Sequence, residues 1–266
     1  MLLHDQTITQ QLEQYGRITE QLIQQYRHDG FLILNDVIDD QLLKQVKEEI
    51  IYSRQQQVSV LDSWKYTKLE AIPALANDPS ILSILEQIYQ YPAFPFQTLN
   101  FQDSPAIGLH ADVIHFSSEP YGYMCGVWIA LEDCTMDNGP LQYFPSSHHL
   151  APTYFEDINL KANKEQFKFN LGEYTRHLVN KVHRLKLEPL TLTCRRGTIL
   201  IWDTNLLHCS IEPRANRTRY SQVTHYFFRA PNSKYLVPAY GKNYEKIDVF
   251  GFINYINRSV NINQIP

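Results

Sequence analysis

Apolar residues recur at helical spacing near the start of the chain. Residues 6–28 are rich in glutamine and carry apolar side chains every three or four positions, at Leu12, Tyr15, Ile18, Leu22 and Tyr26. This period places the apolar residues on one face of a helix, so we predict an amphipathic helix over residues 6–28. The short apolar run from Phe31 to Leu34 that follows has the length and composition of a strand.

Two further helices are predicted from their start signals. Asp39 and Asp40 precede the segment LLKQVKEEII, and Asp78 followed by Pro79 precedes SILSILEQIY. An aspartate is a good N-cap because its carboxylate accepts hydrogen bonds from the free N–H groups of the first turn. A proline fits the same turn because it has no N–H to satisfy. We therefore predict a mostly helical amino-terminal section over residues 1–94.

From about residue 95 the pattern changes to short aromatic or β-branched runs separated by turn residues. The runs are FQTLNF, YMCGVWIAL, PLQYF, EPLTLTC, TILIW and YSQVTHYFF. Short strands with this punctuation are typical of a β-sandwich or barrel. We predict a mainly β protein with flanking helices, folded as a single domain over residues 1–266. Its β core would span residues 95–230, and a carboxy-terminal extension would span residues 231–266.

The segment 155–186 interrupts the strand pattern. It is polar and helix-like. From residue 161 onward Glu165 and Glu173 are its only acidic residues, whereas its basic residues are Lys161, Lys164, Lys168, Arg176, Lys181, Arg184 and Lys186. The simpler interpretation is an insertion between strands whose helix has a solvated face. The sharper alternative is a lid that attracts an anionic substrate.

Composition narrows the possible functions. The 266 residues carry a net charge of -4, which disfavours a nucleic-acid binder because phosphate binding needs a strongly basic surface. We predict neither a signal peptide nor a membrane helix, since no stretch approaches about 20 apolar residues. The cysteines are Cys125, Cys134, Cys194 and Cys209, and none of them forms a Cys-x-x-Cys pair. We interpret them as reduced thiols of a cytoplasmic protein.

Candidate metal ligands lie in the segment GLHADVIHF. His110 and Asp112 are two residues apart, so on a strand both side chains would point to the same face. His208, which follows the apolar run TILIW, is the best candidate for a third ligand. Two histidines and one carboxylate form the facial set of ligands that suits iron(II) and leaves positions open for a 2-oxo acid and O2. Either histidine alone is more simply a half-buried polar side chain, and only the combination favours a metal site.

The position of one arginine in the sequence suggests that an organic co-substrate binds beside this metal. Arg219 lies eleven residues beyond His208, where a strand, a turn and a return strand would bring it back to the metal. A guanidinium forms forked hydrogen bonds with a carboxylate, which suits the far carboxylate of 2-oxoglutarate. Ser210 could donate its hydroxyl to the same carboxylate. Arg214 and Arg217 are alternatives, and a surface arginine in a hairpin is the plainer interpretation.

The sequence resembles the phytanoyl-CoA dioxygenase family of Fe(II)- and 2-oxoglutarate-dependent oxygenases over most of its length. Residues 26–46 are similar to the start of that family, residues 127–148 to its middle block, and residues 208–220 to its second-histidine block. His110-Ala111-Asp112 matches its His-x-Asp motif, although the middle residue is often glutamine in the family. Ser146 also replaces the usual glycine, and neither departure removes a metal ligand.

The resemblance implies a double-stranded β-helix, which is a cupin-like jelly-roll barrel with iron at one mouth. It implies that Trp128 lines the co-substrate pocket and that the residues matching the family's motifs act as its site, namely His110, Asp112, His208, Ser210 and Arg219. The expected activity is hydroxylation of a small-molecule substrate with O2 and 2-oxoglutarate, releasing succinate and CO2. Desaturation or ring formation would use the same site, and the sequence leaves the substrate and the oligomeric state open.

One further ligand and two further functions stay open. His115 completes the series His110-x-Asp112-x-x-His115, but on a strand it would point away from His110, so lining a substrate cavity is its better interpretation. The first alternative function is a jelly-roll metalloenzyme that does not use 2-oxoglutarate, which Arg219 disfavours. The second is a non-catalytic, ligand-binding jelly roll, which an intact His/Asp/His set disfavours.

Overall fold

A helical amino-terminal section leads into a β core. The computed structural model describes residues 18–62, 68–160, 167–238 and 244–245. The helices are α1 (Glu20–Asp29), α2 (Asp40–Gln55), α3 (Ala71–Ala76), α4 (Pro79–Tyr89) and α5 (Phe167–Leu185). The strands are β1 (Phe31–Leu34), β2 (Ala93–Phe101), β3 (Ser117–Glu119), β4 (Met124–Ala130), β5 (Leu141–Tyr143), β6 (Leu190–Leu192), β7 (Ile199–Asp203), β8 (His208–Ser210), β9 (Ser221–Phe228), β10 (Lys234–Pro238) and β11 (Tyr244–Glu245). In these ranges no helix is long and apolar enough to cross a membrane.

Two antiparallel sheets face each other and build the core. The larger sheet has the order β1-β7-β4-β9-β2, the smaller has the order β6-β5-β8, and a third sheet joins β11, β10 and β3. Apolar side chains of the first two sheets meet in one buried cluster, which includes Trp128 and Val223 from the larger sheet and Leu141 and Leu192 from the smaller. Antiparallel sheets packed in this way form the jelly roll that the sequence predicts.

Helices cover the outer face of the larger sheet. Along β4, Val127 and Ile129 belong to a cluster with apolar residues of α1, α2 and α4, whereas Trp128 and Ala130 face the smaller sheet. Successive side chains of a strand point to opposite faces, and every residue of β4 is buried because both faces are covered. The inner face of this sheet is therefore the one that can build a site between the two sheets.

The predicted helix starts at Asp39 and Asp78 are confirmed. Each carboxylate accepts hydrogen bonds from two backbone N–H groups of the following turn, at 2.9 to 3.3 Å. Pro79 occupies the first turn of α4, as its missing N–H allows. The predicted strand Phe31–Leu34 is confirmed as β1, where it pairs with β7 at the edge of the larger sheet.

Within the described residues, the predicted amino-terminal helix starts at Glu20. Residues 6–17 of the predicted range lie outside the described residues. The backbone of Thr19 is extended, with ψ at 154°, and its hydroxyl accepts a hydrogen bond from Leu22 N at 3.3 Å. Thr19 is thus an N-cap and α1 begins at Glu20, so the prediction of a helix running through residues 18 and 19 is wrong. The helix ends at Gly30, whose φ of 80° terminates it.

The interruption predicted at residues 155–186 contains α5. This helix packs on the outside of the β core, where Tyr174, Leu178 and Val182 share a buried cluster with Leu109 and Val113. Residues 161–166 and the side chains of residues 167 and 168 lie outside the described part of the chain. The division of the chain at residues 94, 230 and 266 stays a prediction.

Candidate metal and co-substrate site

Three side chains from distant parts of the chain converge in one group. His110 and His208 are direct antiparallel partners, since the N–H of each donates to the carbonyl of the other at 3.0 and 2.9 Å. Asp112 Oδ1 lies 3.7 Å from His110 Nε2 and 3.8 Å from His208 Nε2. Two ligands held at about 2.1 Å from one metal ion lie roughly 3 to 4 Å apart, so this group can hold a single ion.

His110 and Asp112 meet for a different reason from the one predicted. Their spacing predicts one strand for both residues, but His110 forms an isolated bridge and Asp112 begins the 3-10 helix Asp112–Ile114. Ala111 between them is extended, with φ at -124° and ψ at 143°. The prediction of a continuous strand is therefore wrong, and an extended residue followed by a tight turn brings the two side chains together.

Both imidazoles present Nε2 to the centre of this group. His110 Nδ1 lies 2.8 Å from Gly108 O, and His208 Nδ1 lies 2.9 Å from Leu206 O. Because a backbone carbonyl only accepts hydrogen bonds, each Nδ1 carries a proton, so Nε2 is the nitrogen that each ring can offer to a metal. Burial, aided by His208, lowers the pKa of His110 to about 3, so this imidazole is neutral at pH 7, as a metal ligand must be.

The two oxygens of Asp112 have different partners. Oδ1 faces the two imidazoles, whereas Oδ2 accepts a hydrogen bond from Trp202 Nε1 at 2.6 Å and lies 3.5 Å from His225 Nε2. Burial alone would raise the pKa of Asp112, but the neighbouring His208 and His225 outweigh it and hold the pKa well below its usual range. The carboxylate is therefore ionised and oriented with one oxygen toward the imidazoles.

A row of residues across the larger sheet forms a floor under Asp112. Trp202 of β7, Gly126 of β4, His225 of β9 and Gln97 of β2 are successive antiparallel partners. Directly paired residues point to the same face of a sheet. A Cβ on Gly126 would lie within 3.0 Å of three atoms of the Trp202 indole, so only glycine leaves room for the ring. At the other end of the row, His225 Nδ1 lies 3.0 Å from Gln97 Oε1.

Arg219 is a buried cation without a carboxylate partner among the described residues. Its side chain is 2% exposed, its Nη1 donates to Gly139 O at 2.6 Å, and its guanidinium carbon lies 5.9 Å from the centre of the Trp128 ring. Within the part of the chain that the structure describes, its Nε has no hydrogen-bond partner. Burial lowers the pKa of Arg219, and only thiols of the described residues oppose that shift. A buried, unpaired charge is costly, so a ligand carboxylate would stabilise this side chain.

One cavity joins the candidate metal ligands to Arg219. The residues predicted to form the site all line it, namely His110, Asp112, Trp128, His208, Ser210 and Arg219. The rest of the lining is mostly apolar and includes Leu99, Phe101, Ile107 and Val223. Ser210 Oγ accepts a hydrogen bond from Ile107 N at 2.9 Å, and its O–H can still donate to a ligand.

The remaining candidates lie elsewhere. Arg214 and Arg217 are exposed, and neither lines this cavity. His115 ends the 3-10 helix with its ring centre 6.4 Å from that of His110, and it belongs neither to the metal-ligand group nor to the cavity lining. The prediction that His115 points to the opposite face of a strand is wrong, because this segment is not a strand.

Trp202 and His225 are parts of the site that sequence reasoning missed. A signal for His225 was present, because every second residue of a strand points to the same side. Counting from Arg219 along β9 leads to Val223 and His225, which both line the cavity. The position of Gly126 between Trp202 and His225 depends on the pairing of three strands, and no local pattern in the sequence indicates it.

Solved structures share this architecture. The carbocyclase SnoK from nogalamycin biosynthesis, described as non-heme and α-ketoglutarate-dependent, is 13% identical with a TM-score of 0.65, covering 84% of this chain and 88% of that one. EctD from S. alaskensis, solved with 2-oxoglutarate and 5-hydroxyectoine, is 14% identical with a TM-score of 0.62, covering 87% of this chain and 86% of that one. At these identities the likeness concerns the fold alone, and it confirms the jelly roll.

Sequence comparison identifies the family. A Danio rerio protein named phytanoyl-CoA dioxygenase domain-containing protein 1 is 26% identical over 137 residues, which are 49% of this chain and 47% of that protein. The chain thus spans about half the length of the curated relative it matches. The sequence profile of the phytanoyl-CoA dioxygenase family matches residues 26–221, which is most of the chain. The protein therefore belongs to the phytanoyl-CoA dioxygenase (PhyH) family.

Proposed function

We propose that this protein is an Fe(II)- and 2-oxoglutarate-dependent dioxygenase that hydroxylates a small-molecule substrate, with succinate and CO2 as the other products. The observation that carries the proposal is the buried Arg219 cation, which shares one cavity with His110, Asp112 and His208. A metal site alone would fit several chemistries. A buried cation in the same cavity favours an anionic co-substrate, and 2-oxoglutarate has one carboxylate for the metal and one for the arginine.

In this proposal the iron is held by Nε2 of His110, Nε2 of His208 and Oδ1 of Asp112. Imidazoles that are protonated at Nδ1, together with an ionised carboxylate, provide the donor set that suits iron(II). Trp202 occupies Oδ2 of Asp112, which favours coordination through one oxygen and keeps positions open for other ligands. When bound, iron(II) supplies the activation of O2 and the oxidative decarboxylation of 2-oxoglutarate that together oxidise a C–H bond of the substrate.

We propose that Arg219 forms forked hydrogen bonds with the carboxylate of 2-oxoglutarate that is remote from the metal. The carbonyl of Gly139 holds one side of the guanidinium, which leaves Nε and the remaining N–H groups for the ligand. Ser210 would donate its O–H to the same carboxylate, and Trp128 would form a wall of the pocket. The mostly apolar lining excludes water, which strengthens these charged interactions.

Hydroxylation is the simplest outcome of this chemistry, although the named relatives include a carbocyclase as well as EctD, whose structure contains 5-hydroxyectoine. An anionic substrate receives little support from the described part of α5. Arg176 there binds Glu173 at 2.6 Å, and Lys181 donates to Thr153 Oγ1 at 3.0 Å. We also propose a cytoplasmic location, in keeping with four cysteines that are all free thiols.

Binding of 2-oxoglutarate to the anaerobic Fe(II)-loaded protein tests the proposal. Arg219→Ala removes the charge and the donors, and we expect the dissociation constant to rise at least about 100-fold, because each hydrogen bond to a charged group contributes about 1.5–3 kcal/mol. Arg219→Lys keeps the charge without the fork, so its affinity should fall between those of Arg219→Ala and the wild type. Calorimetry measures the affinity, and succinate formation in the presence of O2 should follow the same order.

Arg214→Ala and Arg217→Ala are the matched controls, because both arginines are exposed and belong to the same segment. We expect both variants to bind 2-oxoglutarate with wild-type affinity. If Arg219→Ala also kept that affinity, the proposal would be refuted. Iron binding by the wild type without 2-oxoglutarate binding would favour a metalloenzyme with another co-substrate. Absence of iron binding would favour a non-catalytic ligand-binding protein.

A further inference from the structure

Two cysteines lie opposite each other beside the proposed co-substrate pocket. Cys134 and Cys194 form an isolated antiparallel bridge, in which the N–H of each donates to the carbonyl of the other at 2.8 and 2.9 Å. In a pair that exchanges both hydrogen bonds, the two Cα atoms lie about 5.5 Å apart. This Cα separation lies in the range of about 4.4–6.8 Å that a disulfide spans. The Cβ atoms of directly paired residues lie about 4.5–5.5 Å apart and a disulfide needs about 3.5–4.5 Å, so the two residues must approach each other slightly for the bond to form.

The two thiols lie in the electrostatic environment of Arg219, because both of them act to raise the pKa of its guanidinium. Their side chains pack in the same buried cluster as Trp128 and Leu141, which line the cavity.

The pair is poised for a reaction between its members. The pKa of Cys134 is lowered because Cys194 donates a hydrogen bond to it and the Arg219 cation lies nearby, although burial acts in the opposite direction. The pKa of Cys194 is raised by the same hydrogen bond and by burial. Cys134 is therefore the nucleophile of the pair. Cys134 is buried and Cys194 is partly exposed, so a small oxidant reaches the Cys134 sulfur from the side of Cys194.

We propose that Cys134 and Cys194 form a reversible disulfide that weakens the binding of 2-oxoglutarate at Arg219. Whether the disulfide forms does not depend on the activity of the protein. The effect of the disulfide on 2-oxoglutarate binding rests on the proposed function. Reversible disulfides in reducing compartments are usually redox-sensing or catalytic rather than structural.

The oxidant is a hydroperoxide. The Cys134 thiolate attacks the distal peroxide oxygen, so an S–O bond forms, the O–O bond breaks, and the leaving oxygen takes a proton from solvent to become an alcohol or water. The sulfur of Cys194 then attacks the sulfur of Cys134, so the S–S bond forms and the S–O bond breaks. The departing hydroxide takes the proton of the Cys194 thiol and leaves as water. Two thiols are thereby oxidised by two electrons, and one hydroperoxide is reduced.

The turn after Cys134 connects this bond to Arg219. The bond holds the two sulfurs about 2 Å apart, which pulls Cys134 toward Cys194, just beyond the end of β6. Asn138 holds the turn together, because its Oδ1 accepts from Thr135 N at 2.8 Å and its Nδ2 donates to Asp133 O at 2.9 Å. The same Nδ2 donates to Thr218 O at 3.1 Å, next to Arg219 in the chain. The turn ends at Gly139, whose carbonyl accepts from Arg219 Nη1 at 2.6 Å. A shift of this turn therefore displaces the guanidinium from both its backbone partner and its ligand.

Mass spectrometry tests the disulfide. Metal-free protein is titrated with hydrogen peroxide, and we expect a loss of about 2 Da that dithiothreitol reverses, with a crosslinked peptide joining residues 134 and 194. Cys134→Ser and Cys194→Ser should each abolish the loss. Cys209→Ser should retain it, because Cys209 lies outside the pair and donates to Gln142 Oε1 at 3.8 Å. An unchanged mass, or a crosslink to another cysteine, would overturn the proposal.

Affinity measurements test the consequence. Reduced and oxidised protein, freed of peroxide and loaded anaerobically with Fe(II), are titrated with 2-oxoglutarate. We expect the oxidised form to bind at least about tenfold more weakly, and Cys134→Ser to bind equally well after either treatment. A crosslinked protein with the affinity of the reduced form would overturn the coupling. Reduced protein that binds iron but not 2-oxoglutarate would refute the proposed function and the coupling, while the mass result would still decide the disulfide.

Discussion

Replacing Gly126 by alanine tests whether the floor under Asp112 controls metal binding. Gly126 lies in β4, where it pairs with Trp202 on one side and His225 on the other. The added Cβ would lie within 3.0 Å of Cε2, Cζ2 and Nε1 of the Trp202 indole. Because β4 is hydrogen-bonded on both sides, its backbone cannot yield easily. The indole must therefore move away from Asp112.

The expected effect has a stability part and a metal-binding part. Overpacking a buried position costs about 1–3 kcal/mol of unfolding free energy. Displacing the indole also breaks its 2.6 Å hydrogen bond to Asp112 Oδ2, and a hydrogen bond to a charged group contributes about 1.5–3 kcal/mol. Removing such a partner of a metal ligand typically lowers metal affinity about 10–100-fold, which is the loss that we expect for Gly126→Ala.

Urea unfolding of the metal-free protein and anaerobic Fe(II) titration measure the two parts. Gly172→Ala is the matched control, since Gly172 lies in α5 and no atom comes within 4 Å of an added Cβ there. Alanine is the better helix former, so this control should gain about 0.5–1 kcal/mol of stability. Its metal affinity should equal that of the wild type.

Trp202→Phe completes a double-mutant cycle with Gly126→Ala. Phenylalanine lacks both the outer ring atoms that meet the new Cβ and the Nε1 donor. In the Trp202→Phe background, Gly126→Ala should therefore cost less stability, with a coupling of at least about 1 kcal/mol. A folded Gly126→Ala protein with wild-type metal affinity would refute the reasoning, and so would additive effects of the two substitutions.

Three further outcomes are expected. Burial, opposed by the Asn205 N–H and aided by the charge of Asp112, raises the pKa of Asp203 to about 7. The folded state then binds a proton more tightly than the unfolded state, so Asp203 lowers the stability of the metal-free protein as pH rises from about 4 to about 7. Asp203→Asn should therefore make the free energy of unfolding fall by about 1–2 kcal/mol less between pH 5 and pH 8, as urea unfolding at the two pH values measures. This figure is smaller than the pKa shift alone would give, because the side chain is partly accessible to water. An unchanged dependence of stability on pH would contradict the prediction. Ser210→Ala should weaken 2-oxoglutarate binding about threefold to tenfold in calorimetry, and wild-type affinity would exclude its hydroxyl from the pocket contacts. Gly30→Ala should be less stable than Gly122→Ala by about 1–3 kcal/mol. Both glycines have a positive φ, but only the Cβ added at residue 30 would overlap a side chain, the His148 ring. Equal losses of stability would contradict the overlap.

Local signals in the sequence predicted much of the secondary structure. The aspartate caps at Asp39 and Asp78 and the strand Phe31–Leu34 were predicted correctly, because each depends on residues only a few positions apart. The amino-terminal helix was predicted to continue through Thr19, whose cap interrupts it. Apolar periodicity shows which residues share a face, but it does not show where a hydroxyl caps the first turn and so fixes the start of a helix.

The residues that the sequence singles out line one cavity, but the sequence does not predict the geometry that brings them together. The spacing of His110 and Asp112 indicated a shared face, and the structure brings them together through a 3-10 turn instead of a strand. The arginine at Arg219 was singled out by its distance from His208 in sequence. That this arginine is buried without a carboxylate partner among the described residues is a property of the packing around it.

By itself the sequence determined the helix starts at Asp39 and Asp78, the strand Phe31–Leu34 and the side chains available for chemistry, because these depend on neighbouring residues. The tertiary structure alone decided which distant residues meet. It placed Gly126 between Trp202 and His225, and it paired Cys134 with Cys194. The physical reason is that strand register follows from the packing of both faces of a sheet, so it depends on many residues at once and leaves no local pattern in the chain.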